Sequence, residues 1–181
     1  MPAPSAPQQY LLLPVNPWFI AFTLVVALMV NLLPLPAPTG AAVWMLAVPD
    51  WVALTLVFWS IHQPRKVGIG VAFCMGLLMD VHDATLLGEN ALAYTLLSYF
   101  AIMIHRRVLW FPSGIQALHV LPLLLVTQLV QLVVRLIVSG KFPGWFYFVE
   151  SFSTAILWPV VSALLLAPQR RAIDRDETRP I

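Results

Sequence analysis

Apolar runs recur from one end of this chain to the other, at 18–33, 43–61, 67–80, 90–104, 115–138 and 146–167. A helix that crosses a bilayer needs roughly 20 such residues. The breaks between runs are short and built from proline, glycine, histidine and paired basic residues, as in "HQPRK", "HRRVLWFPSG" and "SGKFPGW". Only 10% of the 181 side chains are charged against 60% apolar, and the mean hydropathy is +0.86. Soluble domains carry roughly a quarter charged residues, so this chain lacks the charge to solvate a globular surface. The expectation is an all-α polytopic membrane protein: a six-helix bundle in a single membrane domain over 18–167. A proline-rich segment, 1–17, precedes it and a charged tail, 168–181, follows. The first run lacks the basic flank and small-residue cleavage site of a removable signal peptide, so it reads as retained.

Several runs are shorter or more broken than an ideal span. Pro17 suits the first turn of a helix, where its missing N–H is no loss, and the prolines of "PLPAP" at 34–38 end the first run. Inside the second run Pro49-Asp50 reads as a fresh helix start, with Asp50 favoured there by the helix dipole. Twelve residues from Asp50 to Ile61 rise only ~18 Å at 1.5 Å each, short of a ~30 Å hydrocarbon core. Either residues 43–49 also enter the membrane or this helix is short and sheltered by its neighbours. Pro122 and Pro159 interrupt the fifth and sixth runs. Such irregularity suits a compact bundle in which freed backbone groups are satisfied by protein.

Charge placement tests the number of crossings. With six crossings and a cytoplasmic N-terminus, Arg65, Lys66, Arg106, Arg107, Arg170, Arg171, Arg175 and Arg179 share the cytoplasmic side, leaving Arg135 and Lys141 opposite. If the third run does not cross, every later loop flips and basic residues prevail outside. The positive-inside rule therefore selects six, with both termini cytoplasmic. Trp18, Trp59 and Trp110 then fall near cytoplasmic ends and Trp44, Trp51 and Trp145 near the other face, the usual belt of interfacial anchors. Trp158 is mid-span and reads as packing. The basic pairs are too short for a nucleic-acid patch and fit topology and contact with anionic lipid.

Two polar features stand out. "GLLMDVHDATLLGENAL", 76–92, places Asp80, His82, Asp83 and Glu89 between two apolar runs. A metal reading would use His82, Asp83 and Glu89, but the spacing matches no helical ligand pair. Asp80 adjoins the apolar run, so it either caps a helix, reaches interfacial water or joins two helices by a hydrogen bond. The second feature is a stripe on the fifth run: Gln128, Gln131 and Arg135, three and four apart, share one helix face. It would face a partner helix or a substrate crevice, with Arg135 also able to snorkel to the interface. Cys74 is alone in the chain and reads as a small buried hydrophobe without a disulfide. There is no nucleotide-binding loop and no serine-nucleophile elbow, and no cofactor is implied.

The elbow also resembles the signature of the rod shape-determining protein MreD family of bacterial cell-wall elongation. The positions that carry the resemblance are Gly76, Leu77, Asp80, Leu87, Gly88, Ala91 and Leu92, followed by "YTLLSYFA", with "PDW" at Pro49 and the basic break before the third run. The resemblance implies a non-catalytic inner-membrane scaffold pairing with the single-span protein MreC. Through it the chain would be linked to MreB and to RodA with its penicillin-binding transpeptidase partner. It also implies a six-helix bundle like the substrate-binding subunits of energy-coupling vitamin transporters. A rival function follows from that fold: a transporter subunit or receptor holding a small molecule or lipid in a crevice lined by Gln128, Gln131 and Arg135. A third, an enzyme acting on a lipid-linked wall precursor through Asp80 or Asp83, lacks an activated nucleophile.

Overall fold

The computed structural model describes residues 11–12, 16–33, 48–84, 86–140, 142 and 144–171. Within them run six α-helices: α1 (Pro17–Asn31), α2 (Trp51–His62), α3 (Ile69–His82), α4 (Glu89–Val108), α5 (Ser113–Ser139) and α6 (Val149–Leu166). One 3-10 turn, Trp145–Phe148, leads into α6 and another, Ala167–Gln169, follows it. The backbone of Leu11–Leu12 pairs antiparallel with that of Arg170–Arg171, so the segments flanking the bundle meet at one end. Trp44, Lys141, the proline break at 34–38 and the tail beyond 171 lie outside the described residues.

Local chemistry sets the helix ends. Asn16 caps α1 by accepting from the Trp18 N–H at 3.1 Å, with Pro17 in the first turn. Asp50 caps α2 by accepting from the Ala53 N–H at 2.9 Å, satisfying donors that a helix start otherwise leaves orphaned. At the far end of α5, Gly140 takes the left-handed conformation, φ 63°, that glycine adopts without a Cβ penalty.

The arrangement turns on α2. It has 12 residues, and every side chain from Val52 to Ile61 is buried. Its neighbours are α1, α4 and α6. A helix of ~18 Å survives at membrane depth because these neighbours, not lipid, cover it and the chain around its ends. The Ser60 and Ser98 hydroxyls meet at 2.9 Å between α2 and α4, the close approach that small residues permit. Aromatic packing fills the centre: Phe58 meets Trp59 edge-on at 5.0 Å and Trp158 at 6.1 Å. The outer faces are apolar, with Phe22, Val25 and Met29 on α1 and Ile156, Val160 and Leu164 on α6 all exposed. Together with two helical stretches long and apolar enough to span a bilayer, Ser113–Ser139 and Trp145–Gln169, they make a helical membrane bundle.

Two expectations change. Trp59 is not an interfacial anchor: it is 0% exposed, wedged against Phe19 and donating from its indole to Thr23 Oγ1 at 2.9 Å. The shortness of α2 places it inside the protein. Cys74 is exposed instead of buried, because α3 packs chiefly on α4 and turns its Phe73–Cys74 side outward. Trp158 is buried, while Trp18, Trp110 and Trp145 stand exposed.

Candidate functional site

Where α1, α3 and α5 end and α2, α4 and α6 begin, the polar side chains of the bundle gather into one hydrogen-bonded system. Its first part is the elbow. α3 carries Gly76 and Asp80 one turn apart, against the start of α4. The Asp80 carboxylate accepts from the backbone N–H of Gly88 at 2.8 Å, Asn90 at 2.7 Å and Ala91 at 3.3 Å. A buried carboxylate here meets the positive end of the α4 dipole and satisfies its orphan donors from another helix. Gly76 makes that reach possible. A Cβ on it would sit 2.6 Å from both the Ala91 nitrogen and the Asn90 oxygen and closer still to the Ala91 Cα. Gly88 has φ 105°, a conformation natural to glycine, which turns the chain into α4. Ala91 is buried beneath Gly76, whereas Leu87 and Leu92 face outward.

The second part is the stripe on α5, and it lies on the elbow. Arg135 donates through Nε to the buried Glu89 and stacks over the Tyr147 ring at 5.4 Å. Gln131 donates to Asn90 Oδ1 at 2.7 Å and accepts from the Tyr147 hydroxyl at 2.8 Å. Gln128 donates to the Tyr147 carbonyl and to Glu150 Oε2, each at 3.0 Å, and accepts from Ser151 Oγ at 2.6 Å. Arg135 thus ends on a carboxylate and does not snorkel. An unpaired buried Glu89 would be far costlier than this fixed geometry.

The third part is Asp50, at the head of α2. Besides capping its own helix it accepts from Asn31 Nδ2 at 3.0 Å and from the Tyr94 hydroxyl at 2.6 Å, and its N–H donates to Thr154 Oγ1 at 3.1 Å. Four helices therefore converge on one aspartate. Between Asp50, Thr127, Gln128, Gln131, Glu150 and Thr154 the packing leaves a void of about 10 Å³, the room of one water molecule. All five carboxylates among the described residues accept hydrogen bonds here; Asp83 does so from His82 at 2.9 Å on the exposed side of the elbow. Asn90 Nδ2 is the sole buried side-chain polar atom without a partner among the described residues. Among those residues no three His, Cys, Asp or Glu side chains cluster as a metal ion would need, and Glu89 is turned from His82 toward Arg135. The geometry locks helices together; every carboxylate among the described residues is engaged as an acceptor.

The family model for rod shape-determining protein MreD matches residues 14–167. The chain belongs to the MreD family. That match takes in all six helices, the elbow and the stripe. The rod shape-determining protein MreD of Haemophilus influenzae is 27% identical over 159 residues, covering 85% of this chain and 93% of that one. No solved structure matches. As an MreD, the chain is a membrane protein of the rod-shape system.

Sequence reasoning named the elbow and the stripe separately and missed that they touch. It also passed over Asn31, Tyr94, Tyr147, Glu150 and Thr154. Glu150 was detectable, since a carboxylate in the apolar stretch "WFYFVESF" must find a partner inside a membrane protein. Nothing local marks the tyrosines, whose hydroxyls find partners only through the packing.

Proposed function

We propose that this MreD is a non-catalytic scaffold of the cell-wall elongation machinery. It binds the transmembrane helix of an MreC-like single-span protein and so helps regulate peptidoglycan synthesis and cell shape. MreB, RodA and the transpeptidase partner of RodA are reached directly or through that protein. The observation that carries this reading is the use of Asp80: its carboxylate is engaged by three backbone N–H groups of α4, which supports a structural role over acid–base chemistry. The rival reading, a vitamin-like ligand held by the α5 stripe, has little room. Tyr147 and Glu150 occupy that face, and the about 10 Å³ left over is far below the ~300–1,000 Å³ of small-molecule sites.

The reading places the protein in the inner membrane with both termini cytoplasmic. Two observations support it: the segments flanking the bundle pair with each other, and Arg65, Lys66, Arg106 and Arg107 gather at that same end, as positive-inside sorting favours. The test is affinity purification of the tagged protein from native membranes, with mass spectrometry of co-purifying proteins and small molecules. A stoichiometric MreC-like protein is expected, lost in an Asp80→Ala, Gly88→Leu double variant that is stably expressed. Retained co-purification and normal rod shape in that variant, or recovery of an ATPase module with a discrete ligand, would overturn the reading.

A further inference from the structure

We infer that a groove between α4 and α5, at the basic end of the bundle, is a binding site for an anionic phospholipid. The groove encloses about 430 Å³, within the size range of small-molecule sites. α4 lines it with Phe100, Ile104 and Val108, and α5 with Leu118, Pro122 and Val126. Arg107 and His119 complete the wall. The two helices run in opposite directions, and Arg107 and His119 border the groove nearer the α4–α5 connection than Phe100 and Val126 do. Phe100 and Val126 lie seven residues away on their respective helices, ~10 Å toward the middle of the bundle at 1.5 Å per residue. The site is a short apolar trough with a cationic mouth.

Three features fit a lipid. First, the trough opens sideways: Leu118 is 69% exposed, and Phe100 and Val126 are more than a third exposed, so an acyl chain enters from the bilayer without crossing protein. Pro122 contributes only a compact ring where a longer side chain would close the space. Second, Arg107 is exposed and makes no ion pair among the described residues. The ion pairs among the described residues are His82–Asp83 and Arg135–Glu89, both at the other end. His119 is held in place by stacking on Phe111 at 4.9 Å and by its Nδ1 contact with the Ile115 carbonyl at 3.1 Å. Third, basic pockets between membrane helices on a cytoplasmic face are sites for anionic headgroups. A partner helix, ~10–12 Å across with its side chains, would need a groove running on toward the acidic end, which the lining residues do not provide. The occupant is therefore one acyl chain of a phospholipid whose phosphate meets Arg107. This inference rests on the orientation proposed above but not on the scaffold role.

The test is a titration of the delipidated full-length protein with phosphatidylglycerol and with phosphatidylethanolamine, followed by native mass spectrometry. The wild type is expected to hold phosphatidylglycerol saturably and in preference. Arg107→Gln should weaken that binding about five-fold, the worth of one basic residue at an anionic surface. Leu118→Trp, which fills the trough from an exposed position, should weaken both lipids. Arg65→Gln, basic but outside the groove, should change neither. Equal retention of the two lipids by the wild type would overturn the inference, as would phosphatidylglycerol binding indifferent to both groove variants. A benzoylphenylalanine at Val126, irradiated in native membranes, should give a lipid adduct. A protein adduct in its place would assign the groove to a partner helix and overturn the inference too.

Discussion

At the acidic end of the bundle Asp50, Asp80, Asp83, Glu89 and Glu150 all accept hydrogen bonds from side chains or backbone of the same protein. At the basic end Arg106 and Arg107 are exposed and make no ion pair among the described residues. Both ends carry charged groups but differ in how many of their partners lie within the described bundle. Internal partners make a joint, because moving any helix would strand a buried charge in low dielectric. Exposed arginines with no ion pair among the described residues leave a surface that lipid or protein can meet. Substitution at the acidic end should thus lower stability, with any loss of partner binding following from the disturbed joint, whereas substitution at the basic end should change binding without lowering stability.

The hardest test of the joint is Gly76→Leu. The added Cβ meets α4 backbone and not a movable side chain, so α3 and α4 must separate; the cost should exceed the ~1–3 kcal/mol of ordinary overpacking. Folded yield and thermal melting in detergent should collapse, and a wild-type melt would mean the two helices do not pack as described. Next comes Arg135→Ala, which strands Glu89. Removing one member of a buried pair costs about 3–5 kcal/mol, reduced here because Arg135 is itself about a third exposed. Adding Glu89→Gln should restore part of the loss in a double-mutant cycle, and a purely additive result would show that the pair does not couple.

A smaller effect is expected from Asp80→Asn. It keeps one carboxamide oxygen as an acceptor but loses the negative charge at the α4 N-terminus, about 1–2 kcal/mol by the usual worth of a cap. Asp80→Ala should be clearly worse, and equal melting of the two variants would remove the capping role. Smallest is Arg106→Gln, exposed and without a described partner, where stability should hold within about 0.5 kcal/mol. A large drop there would break the contrast between the ends.

How far the sequence reaches can be seen at particular residues. Gly76, Asp80 and Gly88 were visible because a glycine and a carboxylate beside an apolar run each demand a reason. Gln128, Gln131 and Arg135 were visible because helical periodicity alone puts them on one face. That Glu89 answers Arg135 and Asn90 answers Gln131 was not, since each pair is more than 40 residues apart and neither member carries a mark of the other. Trp59 was misjudged for the same reason: its place in the run suggests an interface, and only its neighbours make it core.

By itself, then, the sequence determined the six apolar segments, their breaks and the segregation of basic residues, because these follow from local properties: hydropathy summed over a helix, proline geometry and charge beside a span. Only the tertiary structure decided that the shortest of the described helices is the central one, that the elbow and the stripe form a single joint, and that a trough opens between α4 and α5. Those outcomes depend on which helices lie side by side, and side-chain contacts between helices have no period along the chain from which they could be read.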